Sequence, residues 1–263
     1  MALRRVLVIA ATDSSGGAGL TRDLQALTAF RTEAACAVTA VTAQTHSEVH
    51  GIWPLPPDVV RAQMRAALAA ERIDAIKIGM LATAPIVQAV LETLPSRNHI
   101  PIVLDPVLVS SSGGALLEPD GVEQLRRELL PRVSLLTPNL PEAAALLGQP
   151  MAQGEPAMLA QSRALRSLGA AAVLLKGGHA RAVEDQVTDF LLAGDAAPVC
   201  LQTARIDAQR RGTGCSLASA IAAQLAAGTA LVEACATAQR YVAAGLRGDP
   251  FWRADLQGAA EPL

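Results

Sequence analysis

The sequence predicts an α/β fold, namely a three-layer α/β/α sandwich with a mainly parallel central sheet. Two observations lead to this prediction. Short apolar runs of strand length alternate with helical stretches along the chain, and a polar or glycine-containing turn follows most of these runs. Such alternation builds right-handed βαβ units, whose parallel strands are covered by helices on both faces. Because no repeat, low-complexity tract or linker interrupts it, we expect residues 1–263 to form a single domain.

The N-terminal part of the chain begins with a continuous apolar run, which is typical of a strand buried on both faces. A second run is rich in β-branched residues and is predicted as one strand. Pro57 marks the start of a helix, because proline fits the first helical turn. The predicted elements are a strand at 6–11, a helix at 20–31, a strand at 35–43, an extended segment at 52–55, a helix at 57–72, a strand at 73–79, a helix at 84–94 and a strand at 102–105.

The C-terminal part continues the alternation and adds one departure from it. Two segments joined through Gly194 and Asp195 are predicted to form an antiparallel hairpin at the sheet edge. Gly228 marks the end of an alanine-rich helix, since glycine is favoured just past a helix C-terminus. The predicted elements are a Ser/Gly loop at 110–114, a helix at 119–130, a strand at 133–137, helices at 141–147 and 155–168, a strand at 171–176, hairpin strands at 185–192 and 198–205, and helices at 213–227 and 231–246.

Composition and charge exclude several classes of binding partner. The 263 residues include 22 basic and 24 acidic side chains, so the formal charge of −2 gives no electrostatic reason to expect nucleic acid or an anionic membrane. Aromatic residues make up 2% of the chain, too few for a base-stacking surface. We therefore expect a small-molecule ligand, with no nucleic-acid partner and no membrane partner.

The cysteines are Cys36, Cys200, Cys215 and Cys235. They form no C-x-x-C pair and no histidine stands at a ligand-like spacing beside them, so neither a structural zinc site nor a disulfide framework is expected. The N-terminal apolar run is too short for a signal peptide, and no other segment is long and apolar enough to span a bilayer. We expect a reduced, cytoplasmic protein.

Polar residues collect where the predicted strands end. In an open parallel sheet, ligands bind beyond the carboxyl ends of the strands, because helix N-termini face the same edge. Gln44 and Asp105 are informative, since polar groups that close apolar strands need partners when they are buried. The residues that follow the strands are Thr12, Asp13, Gln44, Gly79, Met80, Asp105, Val107, Asn139, Glu142, Lys176 and Gly177. A ligand site is predicted at this edge of the sheet.

Asn139 and Glu142 have two interpretations. An asparagine at a strand end with a glutamate three residues later supplies oxygen atoms that suit hydrated Mg²⁺. The same spacing is typical of a helix start, with Asn139 before the first turn and Glu142 within it. The spacing alone does not separate the two.

The glycine turn that leads into the penultimate helix is the strongest candidate for a catalytic element. Gly212 and Gly214 let the chain turn tightly into the helix, so the unpaired amides of its first turn point at one spot, which attracts anions. Cys215 lies in that turn, where the helix dipole and nearby Arg210 and Arg211 are expected to favour the thiolate. The alternative is that Cys215 is a small buried apolar residue and that the glycines only allow close packing of the helix.

Several segments appear in the order that is characteristic of one family. They are Thr12 to Gly19 with Asp23, Thr42 to Gln44, Lys77 to Leu81, Asp105 to Val107, Thr137 to Glu142, Lys176 to His179 and Gly212 to Cys215. Each is a weak signal by itself, but together they are specific. On these segments the chain resembles the hydroxymethylpyrimidine and phosphomethylpyrimidine kinases of thiamine biosynthesis, within the ribokinase-like superfamily, over residues 6–246.

The resemblance implies transfer of a phosphoryl group from ATP to the alcohol of 4-amino-5-hydroxymethyl-2-methylpyrimidine, and then a second transfer to the resulting monophosphate. It implies ATP and Mg²⁺ as cofactors and a homodimer as the assembly. It assigns catalysis to Cys215 as the base, and to the backbone amides of Gly212, Thr213 and Gly214, which would stabilise charge on the transferred group.

The resemblance also assigns binding residues. The pyrimidine pocket is expected to contain Ala18, Asp23, Gln44, Met80 and Val107. In it, Gln44 offers the ring both a donor and an acceptor, and Met80 and Val107 sandwich the ring. Nucleotide binding is assigned to Asn139, Lys176, Gly177, Arg211 and Gln239. The metal ion is assigned to Asp105 and Glu142.

The chain departs from the family pattern at two positions on the nucleotide side. Arg211 stands where members commonly have histidine, and Gln239 stands where they have a lysine in the last helix. We expect Arg211 to supply charge stabilisation instead, because its planar fork suits phosphate. Two alternatives stay open: a kinase for pyridoxine or pyridoxal, whose ring also carries a hydroxymethyl group, and a pyrimidine-binding pseudokinase without turnover.

Overall fold

A computed structural model of the chain describes residues 3–96, 100–109, 114–178, 186–208 and 210–248. Its strands are β1 (Arg4–Ala10), β2 (Thr32–Val38), β3 (Ala40–Gln44), β4 (Val49–Pro54), β5 (Ala75–Ile78), β6 (Ile102–Leu104), β7 (Leu135–Leu136), β8 (Ala172–Leu175), β9 (Gln186–Ala193) and β10 (Val199–Ala204). Its α-helices are α1 (Gly19–Ala29), α2 (Pro57–Ala70), α3 (Ala84–Thr93), α4 (Pro119–Gln124), α5 (Leu140–Leu147), α6 (Glu155–Ser167), α7 (Thr213–Ala226) and α8 (Leu231–Arg247).

The central sheet has eight strands in the order β10-β9-β8-β7-β6-β5-β1-β2. The six strands from β8 to β2 in that order pair in parallel, and β9 and β10 add an antiparallel edge. The prediction of a mainly parallel sheet with an antiparallel hairpin at its edge is confirmed. Parallel order brings the carboxyl ends of the strands to one edge of the sheet, together with the N-termini of the helices that follow them.

Helices cover both faces of the sheet, as predicted. Alternate residues of β1 point to opposite sides, with Leu7 and Ile9 in one apolar core and Val6 and Val8 in the other. Helices α2 to α6 pack on the first core, and α1, α7 and α8 pack on the second. Burial of both faces explains why the strand sequences are apolar throughout rather than alternating.

The single strand predicted at 35–43 is wrong, because the chain leaves the central sheet at Thr39. The buried Thr39 hydroxyl donates to the Met80 carbonyl (2.6 Å), and its amide donates to the Ala10 carbonyl (3.1 Å). β3 then pairs with β4 in a separate two-stranded antiparallel sheet. This hairpin carries Thr42 and Gln44 to the carboxyl edge of the central sheet.

The helix predicted at 119–130 is divided into three pieces. α4 continues as a π-helical turn at Leu125–Leu129 and a 3₁₀ turn at Leu130–Arg132. Pro131 lies in the last turn, where it cannot donate a helical hydrogen bond, and the chain then enters β7.

Three predictions fall on residues outside those that the structure describes: positions 110–113 of the Ser/Gly loop, His179, and the start of the hairpin at 185. Among the helices of the described ranges, none combines the length and the apolar character that crossing a bilayer requires.

Candidate active site

A cavity of about 500 Å³ opens at the carboxyl edge of the sheet, beside the β3–β4 hairpin and the N-terminus of α7. Thirteen of the sixteen predicted site residues line it. They are Ala18, Gln44, Met80, Asp105, Val107, Asn139, Glu142, Lys176, Arg211, Gly212, Thr213, Gly214 and Cys215. The other three, Asp23, Gly177 and Gln239, do not. The topological rule for parallel sheets therefore locates the cavity, although it does not place every residue in it.

The apolar side of the cavity lies under the hairpin. Met80 packs with Ala11 and Ala40 in a small buried cluster, and Val107 is partly buried against it. These side chains form an apolar wall that suits the face of a flat ring. That Met80 and Val107 sandwich a ring stays a prediction.

The glycine turn at the start of α7 has a conformation that only glycine adopts easily. Gly212 has a φ of +76°, and a Cβ at this position would lie 2.4 Å from the Gly17 carbonyl oxygen. The first helical hydrogen bond of α7 runs from the Ser216 amide to the Gly212 carbonyl (2.9 Å). The amides of Thr213, Gly214 and Cys215 precede that bond, so they are oriented for an anion in the cavity.

Cys215 lies in this turn, but its environment does not favour the thiolate in the way that the sequence predicted. The residue is partly accessible through the cavity, yet burial raises the pKa of the Cys215 thiol to about 12. The Lys77 ammonium is the main charge that opposes this effect. Burial therefore outweighs the expected stabilisation of the thiolate, and the main stabilising charge is a buried lysine rather than Arg210 or Arg211. Near neutral pH this shift favours the protonated thiol.

Asp105 and Lys176 form an ion pair at the base of the cavity. Lys176 Nζ lies 3.0 Å from Asp105 Oδ1, and the Thr137 hydroxyl donates to the same oxygen (3.4 Å). A Cβ on Gly214 would lie 3.2 Å from Lys176 Nζ and 3.3 Å from Asp105 Oδ2, so the absence of a side chain at Gly214 keeps the pair next to the α7 amides. A cation and a set of amide donors thus face the same space.

Asn139 and Glu142 form a capping box at the start of α5. The Glu142 amide donates to Asn139 Oδ1 (2.8 Å), and the Asn139 amide donates to Glu142 Oε2 (2.8 Å). The helix-start interpretation is therefore correct. It does not remove Glu142 from the cavity, which both residues line.

The charges around Glu142 fit a hydrated divalent cation. Burial raises the pKa of Glu142 to about 7; the neighbouring Asp105 carboxylate adds to the shift and Lys176 opposes it. The Glu142 and Asp105 carboxylates each make ionisation of the other less favourable, and a cation between them would relieve this repulsion. Mg²⁺ suits such a place, because it binds one or two carboxylates and keeps much of its water. Within the part of the chain that the structure describes, no cluster of three or more His, Cys, Asp or Glu side chains forms a complete protein cage for a metal.

Gln44 is held at both ends of its side chain. Arg211 Nη2 donates to Gln44 Oε1 (2.5 Å), and Gln44 Nε2 donates to the Thr42 hydroxyl (2.9 Å). Arg211 Nη1 also donates to the Thr45 carbonyl (2.6 Å), and Nη2 lies 3.6 Å from Asp13 Oδ2. The Arg211 guanidinium thus binds protein groups, in the loop after β1 and at the end of β3. The structure thus gives Arg211 protein partners at the cavity, and charge stabilisation on phosphate by this residue stays a prediction.

Asp23 lies behind the cavity wall rather than in it. Both Asp23 and Lys77 have fully buried side chains, and Lys77 Nζ lies 2.8 Å from Asp23 Oδ1. The Ser219 hydroxyl donates to the same carboxylate oxygen (2.7 Å). Asp23 therefore binds protein groups instead of a ligand. Sequence reasoning missed Lys77, which lines the cavity. Its position between two isoleucines in an apolar strand was the available signal, because a buried lysine needs a partner.

Gly177 and Gln239 converge on Asp189 instead of the cavity. The Gly177 amide donates to Asp189 Oδ1 (2.7 Å), and Gln239 Nε2 donates to Asp189 Oδ2 (2.6 Å). A Cβ at Gly177 would lie 1.9 Å from the Thr188 carbonyl oxygen, so close packing explains the glycine. Gln239 is buried. The structure thus places both residues in a structural contact between β9 and α8.

Comparison with known proteins identifies the family to which this chain belongs. The family model described as phosphomethylpyrimidine kinase matches residues 13–257. The chain belongs to the phosphomethylpyrimidine kinase family. A hydroxymethylpyrimidine/phosphomethylpyrimidine kinase of Salmonella typhimurium is 46% identical over 220 residues, which are 82% of this chain and 81% of the relative.

Solved structures agree with the assignment to this family and its ribokinase-like fold. The phosphomethylpyrimidine kinase of Clostridium difficile is 32% identical with a TM-score of 0.80, over 92% of this chain and 99% of the other. The pyridoxal kinase of Staphylococcus aureus in complex with AMP-PCP and pyridoxal is 32% identical with a TM-score of 0.83, over 94% of this chain and 89% of the other. These relatives are named as kinases, and the Staphylococcus aureus neighbour was solved in complex with AMP-PCP and pyridoxal.

Proposed function

We propose that this chain is a single-domain kinase that transfers a phosphoryl group from ATP to 4-amino-5-hydroxymethyl-2-methylpyrimidine and then to its monophosphate, in thiamine biosynthesis. The observation that carries the proposal is the composition of one cavity. It holds an amide side chain suited to an aminopyrimidine (Gln44), a thiol at a helix N-terminus (Cys215), and a lysine with two carboxylates nearby. Its relatives are named for this activity.

Cys215 acts in the proposed reaction as the group that accepts the proton of the hydroxymethyl alcohol. Burial opposes the thiolate that this role needs, whereas the Lys77 ammonium favours it. The amides of Thr213, Gly214 and Cys215 precede the first bond of α7 and are positioned to donate to the oxygens of the transferred phosphoryl group. The proposal therefore requires the hydroxymethyl group of the substrate to lie at the α7 N-terminus, close to these backbone amides.

Mg²⁺ would be held near Asp105 and Glu142 and would neutralise charge on the phosphates of ATP. Lys176 already pairs with Asp105 and lies beside Gly214, so it can bind phosphate oxygens from the same place. The Asn139 side chain caps α5 next to these groups, and the Asn139 amide orients the Glu142 carboxylate. We propose these residues for the nucleotide side, and not Gly177 or Gln239.

The deciding experiment is ADP release from Mg-ATP in the presence of the hydroxymethylpyrimidine. We expect turnover by the wild-type chain and a fall of about 100-fold or more in kcat for Cys215→Ala, with little change in the Kd of the pyrimidine. Cys36→Ala, at an exposed cysteine outside the cavity, is the matched control and should keep the wild-type rate. A Cys215→Ala variant with a near wild-type kcat would remove the thiol from the mechanism. Binding of the pyrimidine without ADP release would make the chain a pseudokinase.

Pyridoxal is the second candidate acceptor. The observation that favours it is the similarity to the pyridoxal kinase of Staphylococcus aureus over nearly the whole chain. Comparing kcat/KM for the pyrimidine and for pyridoxal under the same conditions separates the two functions, and we expect the pyrimidine to be preferred.

We also propose a homodimer in the cytoplasm, which rests on the family resemblance. Light scattering of the purified chain tests the assembly, since a dimer has twice the mass of the 27.2 kDa chain.

A further inference from the structure

The contacts of Gln44 determine which way its side-chain amide points. Arginine has only donors, so the Gln44 atom that faces Arg211 Nη2 at 2.5 Å is an oxygen. The other end gives the same answer independently. The Thr42 hydroxyl donates its hydrogen to the Thr12 carbonyl (2.9 Å), so toward Gln44 it can only accept, and the atom that faces it is Nε2. Two separate partners therefore select one amide orientation.

The backbone at Gln44 is fixed as well. The Gln44 amide donates to the Ser14 hydroxyl (2.9 Å), and that hydroxyl donates back to the Gln44 carbonyl (2.9 Å). Because main chain and side chain are both held, the residue is preorganised before a ligand enters. One N–H of Nε2 and one lone pair of Oε1 stay unused in these contacts, in a fixed order.

Flipping the amide would be costly here. The NH₂ group would face the Arg211 guanidinium, donor against donor, and the oxygen would face a hydroxyl whose hydrogen is already used by Thr12. Each mismatch leaves a partly buried polar group without a partner, which disfavours the flipped amide. The cavity thus presents a donor and an acceptor whose positions do not exchange.

We propose that Arg211, through Gln44, is a specificity-determining positioning residue that selects a ring with an amine donor beside a ring-nitrogen acceptor. The inference rests on the proposed function, since it concerns the acceptor of that same site. The 4-aminopyrimidine edge has this order, because its amine donates and the neighbouring ring nitrogen accepts. The 4-oxo analogue has the reverse order, because its carbonyl accepts and its ring N–H donates. The site therefore accepts the amino ring and rejects the 4-oxo ring.

The test compares kcat/KM for 4-amino- and 4-oxo-5-hydroxymethyl-2-methylpyrimidine in ADP release. We expect the wild-type chain to prefer the amino ring by about 100-fold or more, since a wrong hydrogen-bonding order leaves buried groups unpaired. In Arg211→Met the amide can turn, and the preference should fall by about tenfold or more, mainly through a lower KM for the 4-oxo ring. Because the preference is a ratio measured on one preparation, it does not depend on how much of a variant is folded.

Three further variants sharpen the comparison. Arg210→Met removes the same charge one residue earlier in the same cavity. Among the described residues Arg211, and not Arg210, is hydrogen-bonded to Gln44, so this variant should keep the wild-type ratio whatever its rate. Arg211→Lys keeps a donor-only group and should restore part of the preference. Thr42→Val removes the acceptor at the other end of the amide and should lower the ratio as Arg211→Met does. The Arg211→Lys result distinguishes orientation of the amide from a general loss of structure.

The outcomes separate this inference from the proposed function. A wild-type chain that phosphorylates neither pyrimidine contradicts the proposed function. Turnover of the amino ring with a ratio that stays within about twofold in Arg211→Met contradicts the role of Arg211 alone. Calorimetric Kd values for the two rings without nucleotide give the preference in binding alone, and they test the inference even where turnover is absent. Equal Kd ratios in wild type and Arg211→Met would overturn it.

Discussion

Lys77 and Asp23 form a fully buried ion pair between β5 and α1, with Lys77 Nζ 2.8 Å from Asp23 Oδ1 and 3.0 Å from Oδ2. Burial is the largest single influence on the pKa of Lys77 and would lower it, but the nearby Asp23, Cys215 and Asp105 groups together raise it, so the charged lysine is favoured. The pair also connects to α7 through Ser219, which lies one helical turn after Cys215. It thereby places the Lys77 ammonium behind the glycine turn at the start of α7.

Breaking this pair on one side should destabilise the protein strongly. We expect Lys77→Met to lower the free energy of unfolding in urea by about 3–5 kcal/mol, because the Asp23 carboxylate is left buried without its cation. The double variant Asp23→Leu/Lys77→Met should recover most of that loss. Arg61→Met, which breaks an exposed pair with Glu92, is the control and should have a much smaller effect. A double variant as unstable as the single one would show that the loss reflects packing instead of charge.

The acidity of Cys215 predicts how it reacts. Because burial raises the pKa of its thiol to about 12, only a small fraction is thiolate near neutral pH. The rate of alkylation by iodoacetamide should rise about tenfold per pH unit from about pH 6.5 to 9.5, without a plateau. Peptide mapping by mass spectrometry separates Cys215 from the exposed Cys36 and Cys200. A plateau below about pH 8 would show that the free protein already holds a reactive thiolate.

The parts of the fold that follow from local sequence were predictable. The run from Val6 to Ala10 is apolar at every position because both faces of β1 are buried, and such runs mark the parallel strands. The carboxyl ends of those strands then define the cavity without further information. The break at Thr39 was not predictable, because its hydrogen bonds to Ala10 and Met80 exist only in the folded sheet.

The errors at the site have one physical origin. Polar residues were assigned to ligands, but several of them are used by partners far away in the sequence. Asp23 pairs with a lysine 54 residues later, and Gln239 pairs with an aspartate 50 residues earlier. Arg211 binds Gln44, which lies 167 residues before it. Residue type and spacing do not encode such pairings, so the sequence located the cavity better than it assigned individual contacts.

The contact between Gln239 and Asp189 predicts an effect on stability without an effect on nucleotide binding. Gln239→Met removes one of the two donors to a buried carboxylate and should cost about 1–3 kcal/mol of unfolding free energy, while the KM for ATP stays within about twofold. Burial raises the pKa of Asp189, and the amide of Gln239 opposes that shift. Losing the amide therefore penalises the charged form, and the loss should grow as pH rises. An increase in the KM for ATP without a loss of stability would return Gln239 to the nucleotide site.

Glu142, which we propose for the metal site, should oppose stability at high pH. Burial raises its pKa from 4.5 to about 7, so the folded protein favours the neutral carboxyl more than the unfolded chain does. Its contribution to stability is full below pH 4.5 and is lost as pH rises through about 7. Glu142→Gln removes the charge but keeps a side-chain oxygen for the Asn139 amide, so the capping box survives.

We therefore expect Glu142→Gln to be more stable than wild type by about 1–3 kcal/mol at pH 8 and equally stable at pH 4. Turnover with Mg-ATP should fall in the same variant, because one of the two carboxylates proposed to hold the cation is gone. Thermal unfolding across this pH range measures the first effect, and ADP release at increasing Mg²⁺ measures the second. Glu155→Gln, at the exposed first turn of α6, is the control for loss of one negative charge. A stability difference that is the same at both pH values would show that Glu142 acts through its shape rather than its charge.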